Sequence, residues 1–251
     1  MESTHIDRHA GSIALVTGGS RGIGAGIVRR LASDGVSVAF TYSSSEDKAL
    51  QLVNEIESTG GSALAIKADS ASADEVRLAV TKAVSHFGPL DIFVSNAGIL
   101  TRGSIGDLSL EDLDRMLAIN VRAVVVGIQA AAATMNDGGR IITIGSVVAV
   151  RTGFPGSSIY SMTKAAIVGL VRGVAIDLAP RAITVNNIQP GPIATDMNPA
   201  DGPHVDMLHT LIPLRRYGKD AEVASLVSYL TTKDAAFITG ASLTVDGGYS
   251  A

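Results

Sequence analysis

Five times along this chain a short run of apolar, β-branched residues gives way to a longer segment of helical period: SIALVT then 22–34, VSVAFT then 46–59, SALAIK then 73–87, LDIFVS then 109–135, and RIITIGS then 158–178. Two further runs, AITVNNI and SLTVDG, follow towards the end. Runs of strand length that are apolar on both faces belong inside a sheet covered on both sides. Helices between them are the crossovers that parallel strands require. The alternation predicts a single α/β domain, a doubly wound parallel sheet of about seven strands with helices on both faces.

At 251 residues the chain is long for one domain, but α/β folds reach this size as one unit. No repeat, linker or low-complexity tract marks a second domain. Residues 11–251 are therefore read as one domain, and the polar, mixed-charge residues 1–10 as a flexible lead-in. Apolar residues make up 46% and aromatics 4%, so the core is expected to be Val, Ile, Leu and Ala packed between close elements. A formal net charge of −4, with no Lys/Arg run interleaved with aromatics, argues against a binder of nucleic acid polymers. Cysteine is absent and the five histidines lack ligand spacing, so neither a disulfide scaffold nor a metal site is expected. The apolar run 123–133 is too short and broken for a bilayer span, and the N-terminus has no signal-peptide core. A soluble cytoplasmic protein without a membrane partner is expected. One region breaks the rhythm: 192–215, PIATDMNPADGPHVDMLHTLIPLR, follows a strand's carboxyl end and is read as a substrate lid.

Four stations then fall at strand ends. After SIALVT comes G18-G-S-R-G22-I-G24, opening a helix whose N-terminus can seat a pyrophosphate while the glycines let the backbone approach it. The spacing, G-x-x-x-G-x-G, differs from the G-x-G-x-x-G dinucleotide fingerprint. After LDIFVS comes N96-A-G98; after RIITIGS comes Ser146; beyond lies Y160-S-M-T-K164, which puts a phenol and an ammonium on one helix face. A doubly wound sheet gathers these at one edge. A free tyrosine has a pKa of about 10, and a nearby ammonium lowers the cost of its phenolate, which suits the pair Tyr160 and Lys164 to proton transfer. The second strand ends in Tyr42, followed by Ser43, Ser44 and Ser45 as hydrogen-bond donors, and Arg21 adds a cation. An acid at that strand end would hold the ribose hydroxyls of NAD; its absence favours NADP(H).

This ordered set resembles the short-chain dehydrogenase/reductase family over about residues 11–249: TGGSRGIG, NAG, Asn120 in the long helix, Ser146 fourteen residues before Tyr160, YxxxK, and PGPIATDM at 190–197. The resemblance implies a Rossmann-type fold and a catalytic set of Asn120, Ser146, Tyr160 and Lys164. In carbonyl reduction Tyr160 would be the general acid, Ser146 would hold the oxygen, Lys164 would also bind the nicotinamide ribose, and Asn120 would position a relay water. The implied cofactor set comprises Gly18, Ser20, Arg21, Gly22, Ile23 and Gly24; Tyr42, Ser43 and Ser44; Asp69 and Ser70; Asn96, Ala97 and Gly98; Tyr160 and Lys164; and Pro190, Gly191, Ile193 and Thr195.

The sequence is most similar in texture to 3-oxoacyl-carrier-protein reductases and related ketone reductases, whose long helices carry arginines that dock an acidic carrier. Here those stretches read QAAAATM and VAIDLAP, which favours a free small ketone or alcohol as substrate and a helix interface of the family's homotetramer. Val147, Val148, Phe154, Met207, Leu208 and Leu211 are candidates for an apolar substrate pocket. Two other readings stand beside this one. The stretches PGPIATDMNPADGPHVDMLHT and FTYSSS look like a bacterial relative that binds cyclic di-GMP, implying a nucleotide-binding regulatory protein. An NAD-linked alcohol dehydrogenase has the same architecture, and Tyr42 argues against it.

Overall fold

A computed structural model describes residues 11–196, 198–199 and 205–251. The elements run β1 (Ile13–Val16), α1 (Gly22–Ser33), β2 (Ser37–Tyr42), α2 (Glu46–Ser58), β3 (Ala63–Lys67), α3 (Ala73–Phe87), β4 (Leu90–Ser95), α4 (Leu110–Leu117), α5 (Ala123–Thr134), β5 (Met135–Ile144), α6 (Ser158–Leu178), β6 (Thr184–Pro190), α7 (Val205–Leu211), α8 (Asp220–Thr231) and β7 (Ser242–Val245). All seven strands lie parallel in the order β3-β2-β1-β4-β5-β6-β7. The expected doubly wound sheet is what forms.

Side chains alternate across the sheet, and each face builds its own core. Val16, Phe40, Val94, Ile142 and Ile188 pack with α1, α2 and α8. Leu15, Ala39, Phe93, Ile141 and Val185 pack with α3, α5 and α6. Phe93 and Leu15 are fully buried, each worth about 1.5–3 kcal/mol relative to exposure. The strand order reverses between β1 and β4, and the connections leaving those two strands at their carboxyl ends diverge there. That divergence opens the cleft in which ligands of such sheets bind.

Three elements depart from the sequence reading. The helix expected over 109–135 is interrupted by a five-residue π-helical stretch, Ala118–Arg122, with Asn120 buried in it. Such wide turns inside helices recur at functional sites, and periodicity alone does not reveal them. Strand β5 begins at Met135 instead of 140, with an irregular register opposite Leu90 and Ile92. Helix α8 was not foreseen: its buried Val223, Ala224, Val227 and Leu230 follow helical spacing, but Ser225, Ser228 and Tyr229 between them blur it. Helix α8 packs against α1.

Of the expected lid, Ile193 bridges to Gly218, Thr195 to Asn198, and 205–211 is the short helix α7; residues 197 and 200–204 lie outside the described residues, as does the lead-in 1–10. By length and composition two stretches, Leu110–Thr134 and Ser158–Arg181, are apolar enough to cross a membrane. In the fold both lie along one face of the sheet, supplying Val124, Ile128, Ala131, Ile167, Val171 and Ala175 to its core.

Candidate active site

The turn after β1 is shaped by what its glycines must avoid. A Cβ on Gly24 would sit 2.1 Å from the Gly18 carbonyl oxygen, and Gly22 has φ +52°. Only glycine lets α1 start this close to the strand that precedes it. Helix α1 has no side-chain cap, so its first amides remain available to an anion. The turn is held from behind: Asn96 Nδ2 donates to the carbonyls of Thr17 (2.9 Å) and Gly18 (3.0 Å). Thr17 Oγ1 accepts from the amides of Asn96 and Ala97, and Gly18 N donates to Thr41 Oγ1. The NAG motif thus clamps the glycine turn, and the Asn96 amide is engaged in that clamp.

The cleft is lined by Gly18, Ser20, Arg21, Gly22, Ile23 and Gly24, by Tyr42, Ser43 and Ser44, by Asp69 and Ser70, by Asn96, Ala97 and Gly98, and by Tyr160, Lys164 and Thr195. These come from the predicted set. Pro190 ends β6 and Gly191 follows it, the Ile193 side chain is buried in the core with residues of α1 and α8, and none of the three is among the residues that line the cleft. Asp69 is partly occupied, since its Oδ1 accepts from Ala71 N. Tyr42 turns its hydroxyl onto the Glu46 carboxylate; burial first, and then that carboxylate, raise its pKa. Arg21 is exposed in an extended conformation and makes no ion pair among the described residues.

Ser45 from the serine run and Asp196 from the PGPIATDM stretch also line the cleft. Sequence reasoning missed Ile99, Arg115 and Ile119. Arg115 lies one helical turn before Ile119, which left a weak signal, and nothing in the sequence marks Ile99, which reaches the cleft through the loop after β4.

The Tyr160 hydroxyl is hydrogen-bonded to Ser146, and Ser146 Oγ accepts from Val148 N at 3.3 Å. Burial pushes the phenol up to about 12, with the Ser146 hydrogen bond pulling the other way. Lys164 Nζ lies 5.7 Å from the Tyr160 ring centre and donates to the Ile144 carbonyl at 3.0 Å; burial lowers its ammonium to about 8. Asn120 is tied down on both sides: Oδ1 accepts from Ile99 N, and Nδ2 donates to Ile99 O and Thr163 Oγ1. Its Oδ1 and the Lys164 ammonium share one space, each 3.4 Å from where a Cβ on Gly98 would be. Four residues scattered over 45 positions of sequence are brought together by the π-helical stretch, the end of β5 and the first turns of α6.

On the far side of Tyr160, Val147 and Leu208 are buried in a small cluster with Ile212, Tyr217 and Tyr249, against which Phe154 and Leu211 pack. Met207 is 43% exposed. Of the apolar pocket candidates, then, two are core, and Met207 remains open to solvent. The Arg102 guanidinium lies 5.9 Å over the Phe154 ring.

The chain is similar over nearly its whole length to known proteins. A family model described as enoyl-(acyl carrier protein) reductase matches residues 18–250. A protein of Escherichia coli K12 described as a cyclic-di-GMP-binding biofilm dispersal mediator is 46% identical over 241 residues, 96% of this chain and 98% of that one. The solved structure of a short-chain dehydrogenase/reductase from Serratia marcescens BCRC 10948 is 56% identical and superposes with a TM-score of 0.96 over 97% of this chain and 100% of that one. A short-chain dehydrogenase from Burkholderia cenocepacia J2315, solved in complex with NADP, is 50% identical with a TM-score of 0.96 over the same shares, 97% and 100%.

Proposed function

The chain belongs to the short-chain dehydrogenase/reductase family, and on that footing we propose that it is an NADPH-dependent carbonyl reductase that converts a small ketone or 3-oxoacyl-type carbonyl into a secondary alcohol. The observation that carries this reading is the hydrogen-bonded contact of Tyr160 with Ser146, with the Lys164 ammonium beside it at the wall of the cleft.

The residues present fit the cofactor. The glycine turn and the uncapped N-terminus of α1 suit the pyrophosphate, and the end of β2 offers serines where an NAD enzyme carries an acid. Glu46, which opens α2 just past these serines, is engaged by the Tyr42 hydroxyl. A relative 50% identical over nearly the whole chain holds NADP. When bound, the reduced nicotinamide supplies the hydride that goes to the carbonyl carbon.

This chain's own residues manage the charge. A phenol lifted to about 12 is protonated at neutral pH, the form a general acid must start from. As negative charge grows on the substrate oxygen, Tyr160 passes its proton to it and Ser146 donates a hydrogen bond to the same oxygen. The phenolate left behind is stabilised by Lys164, charged below about pH 8. Asn120, facing Lys164 across the space beside Gly98, holds the water through which the proton is replaced. Phe154 and Met207 are the candidates for apolar contacts to the substrate, and the segment after β6 is read as its lid.

The protein is read as a cytoplasmic homotetramer. Alcohol oxidation with NAD is disfavoured by the lack of an acid at the end of β2. A second reading has one specific observation behind it, the 46% identity to a cyclic-di-GMP-binding protein: the same cleft would serve a regulatory nucleotide. One comparison separates them. Purified protein with NADPH or NADH and a panel of small ketones, 3-oxoesters and diketones should consume NADPH well above NADH, and Tyr160→Phe should lower kcat by at least about 100-fold. Nucleotide binding without turnover, joined to cyclic di-GMP binding that survives Tyr160→Phe, would transfer the conclusion to the regulatory role.

A further inference from the structure

One ion pair ties the cleft wall to α2. Lys48, in the first turn of α2, donates from Nζ to Asp196 Oδ2 at 2.6 Å, joining residues 148 apart in sequence. Asp196 belongs to the segment after β6, in which the Thr195 side chain lies next to the glycine turn, 3.4 Å from where a Cβ on Gly22 would be. The segment therefore reaches from the glycine turn to the start of α2. Asp196 lies in the cleft wall together with Arg21, Ser43, Ser44 and Ser45. Its carboxyl is held below the usual carboxylate range by the hydrogen bond from Lys48 first and by the field of Arg21 last.

A carboxylate in this wall is a problem for a phosphorylated cofactor. In a nucleotide fold of this topology the adenosine ribose sits beyond the second strand, at Ser43–Ser45 here, so a 2′-phosphate would face Asp196 as a like charge. Lys48 neutralises that carboxylate. Both partners of the pair are about half exposed, 55% and 54%, and an exposed pair of this kind is held weakly enough for a stronger anion to displace one member. A phosphate dianion is such an anion, and a ribose hydroxyl is not.

We propose that Lys48 and Asp196 form a charge strap at the wall of the cofactor cleft that reads the 2′-phosphate: Asp196 holds Lys48 in place of a phosphate, NADP(H) competes for the ammonium and opens the strap, and NAD(H) leaves it shut. Lys48 is then a positive determinant of cofactor choice and Asp196 its internal competitor. The inference rests on the reading of the cleft as an NADP(H) site.

The test is equilibrium binding of NADPH and NADH, followed by the fluorescence of the reduced nicotinamide, to the wild type, Lys48→Gln, Asp196→Asn and the double variant. Thermal melts establish that each variant is folded. Asp196→Asn should tighten NADPH by about threefold to tenfold, and Lys48→Gln should weaken it by about tenfold. In the Lys48→Gln background, Asp196→Asn should recover part of the loss by removing the bare carboxylate. NADH should stay within about twofold throughout, and the NADPH differences should shrink at high salt. Equal shifts for both cofactors would mean a strap blind to phosphate, and no shift for either would mean a surface pair without a role; each overturns the inference alone. A wild type that binds neither cofactor overturns the reductase reading and the inference with it.

Discussion

Lys164 sits buried against the Ile144 carbonyl and makes no ion pair among the described residues, and burial brings its ammonium down to about 8 from an ordinary 10.5. Two effects of opposite sign follow from that one residue. Turnover in the reduction direction should fall as pH rises through about 8, because the neutral amine no longer stabilises the Tyr160 phenolate. Stability should move the other way. Between about pH 8 and the ordinary value the unfolded chain binds the proton that the folded chain has lost, so the apoprotein gains stability as pH rises through that window. Below it, the desolvation penalty is fully present. Melting the apoprotein at fixed steps from pH 7 to pH 10 checks this, with Lys164→Met as the control: the variant should lose turnover and show a flatter pH profile. A wild-type profile as flat as the variant's would mean that Lys164 keeps its ordinary proton affinity. The YxxxK spacing was legible in sequence because one helix carries both residues. The depressed ammonium was not, since it arises from β5 closing over Lys164.

At the scale of elements, the clamp between the glycine turn and the NAG loop decides whether α1 can present its N-terminus. Gly24→Ala would drive a methyl into the Gly18 carbonyl and the Asn96 amide, 2.1 and 2.6 Å away, both of them in the clamp. The backbone must shift, at a cost of about 1–3 kcal/mol by analogy with overpacked cores. NADPH affinity should fall along with stability, by a titration and a melt on the same sample. At Gly169, where an added Cβ meets nothing within 4 Å, alanine should leave binding unchanged. The motif GGSRGIG could be read as a nucleotide turn in sequence, but it does not say that the partner enforcing Gly24 is Asn96, 72 residues away. The π-helical stretch around Asn120 is a similar case: the residue was legible, whereas the local widening depends on hydrogen bonds to Ile99 and Thr163.

For the whole molecule, the outer faces of α5 and α6 are where an interface between copies is expected. Helix α6 leaves Ile176 75% exposed and Met162 46% exposed, on a side that also exposes Ala165, Ala166, Gly169 and Gly173 along with Arg172 and Asp177. Side chains of this kind repeated on long helices favour burial against another copy. If the homotetramer forms through these helices, Ile176→Glu should lower the mass measured by light scattering while the monomer fold, by circular dichroism, is retained. An unchanged tetramer would move the interface elsewhere.

The sequence by itself determined the layered architecture, the strand count and the residue types at the cleft. Those depend on periodicity and on glycine or polar residues at strand ends, which are local properties of the chain. The strand order, the wide turn at Asn120, helix α8 and the pairing of Lys48 with Asp196 were decided only by the tertiary structure. Each of them depends on segments far apart in sequence meeting across the sheet, and the energies that settle such meetings come from packing and desolvation in the assembled fold.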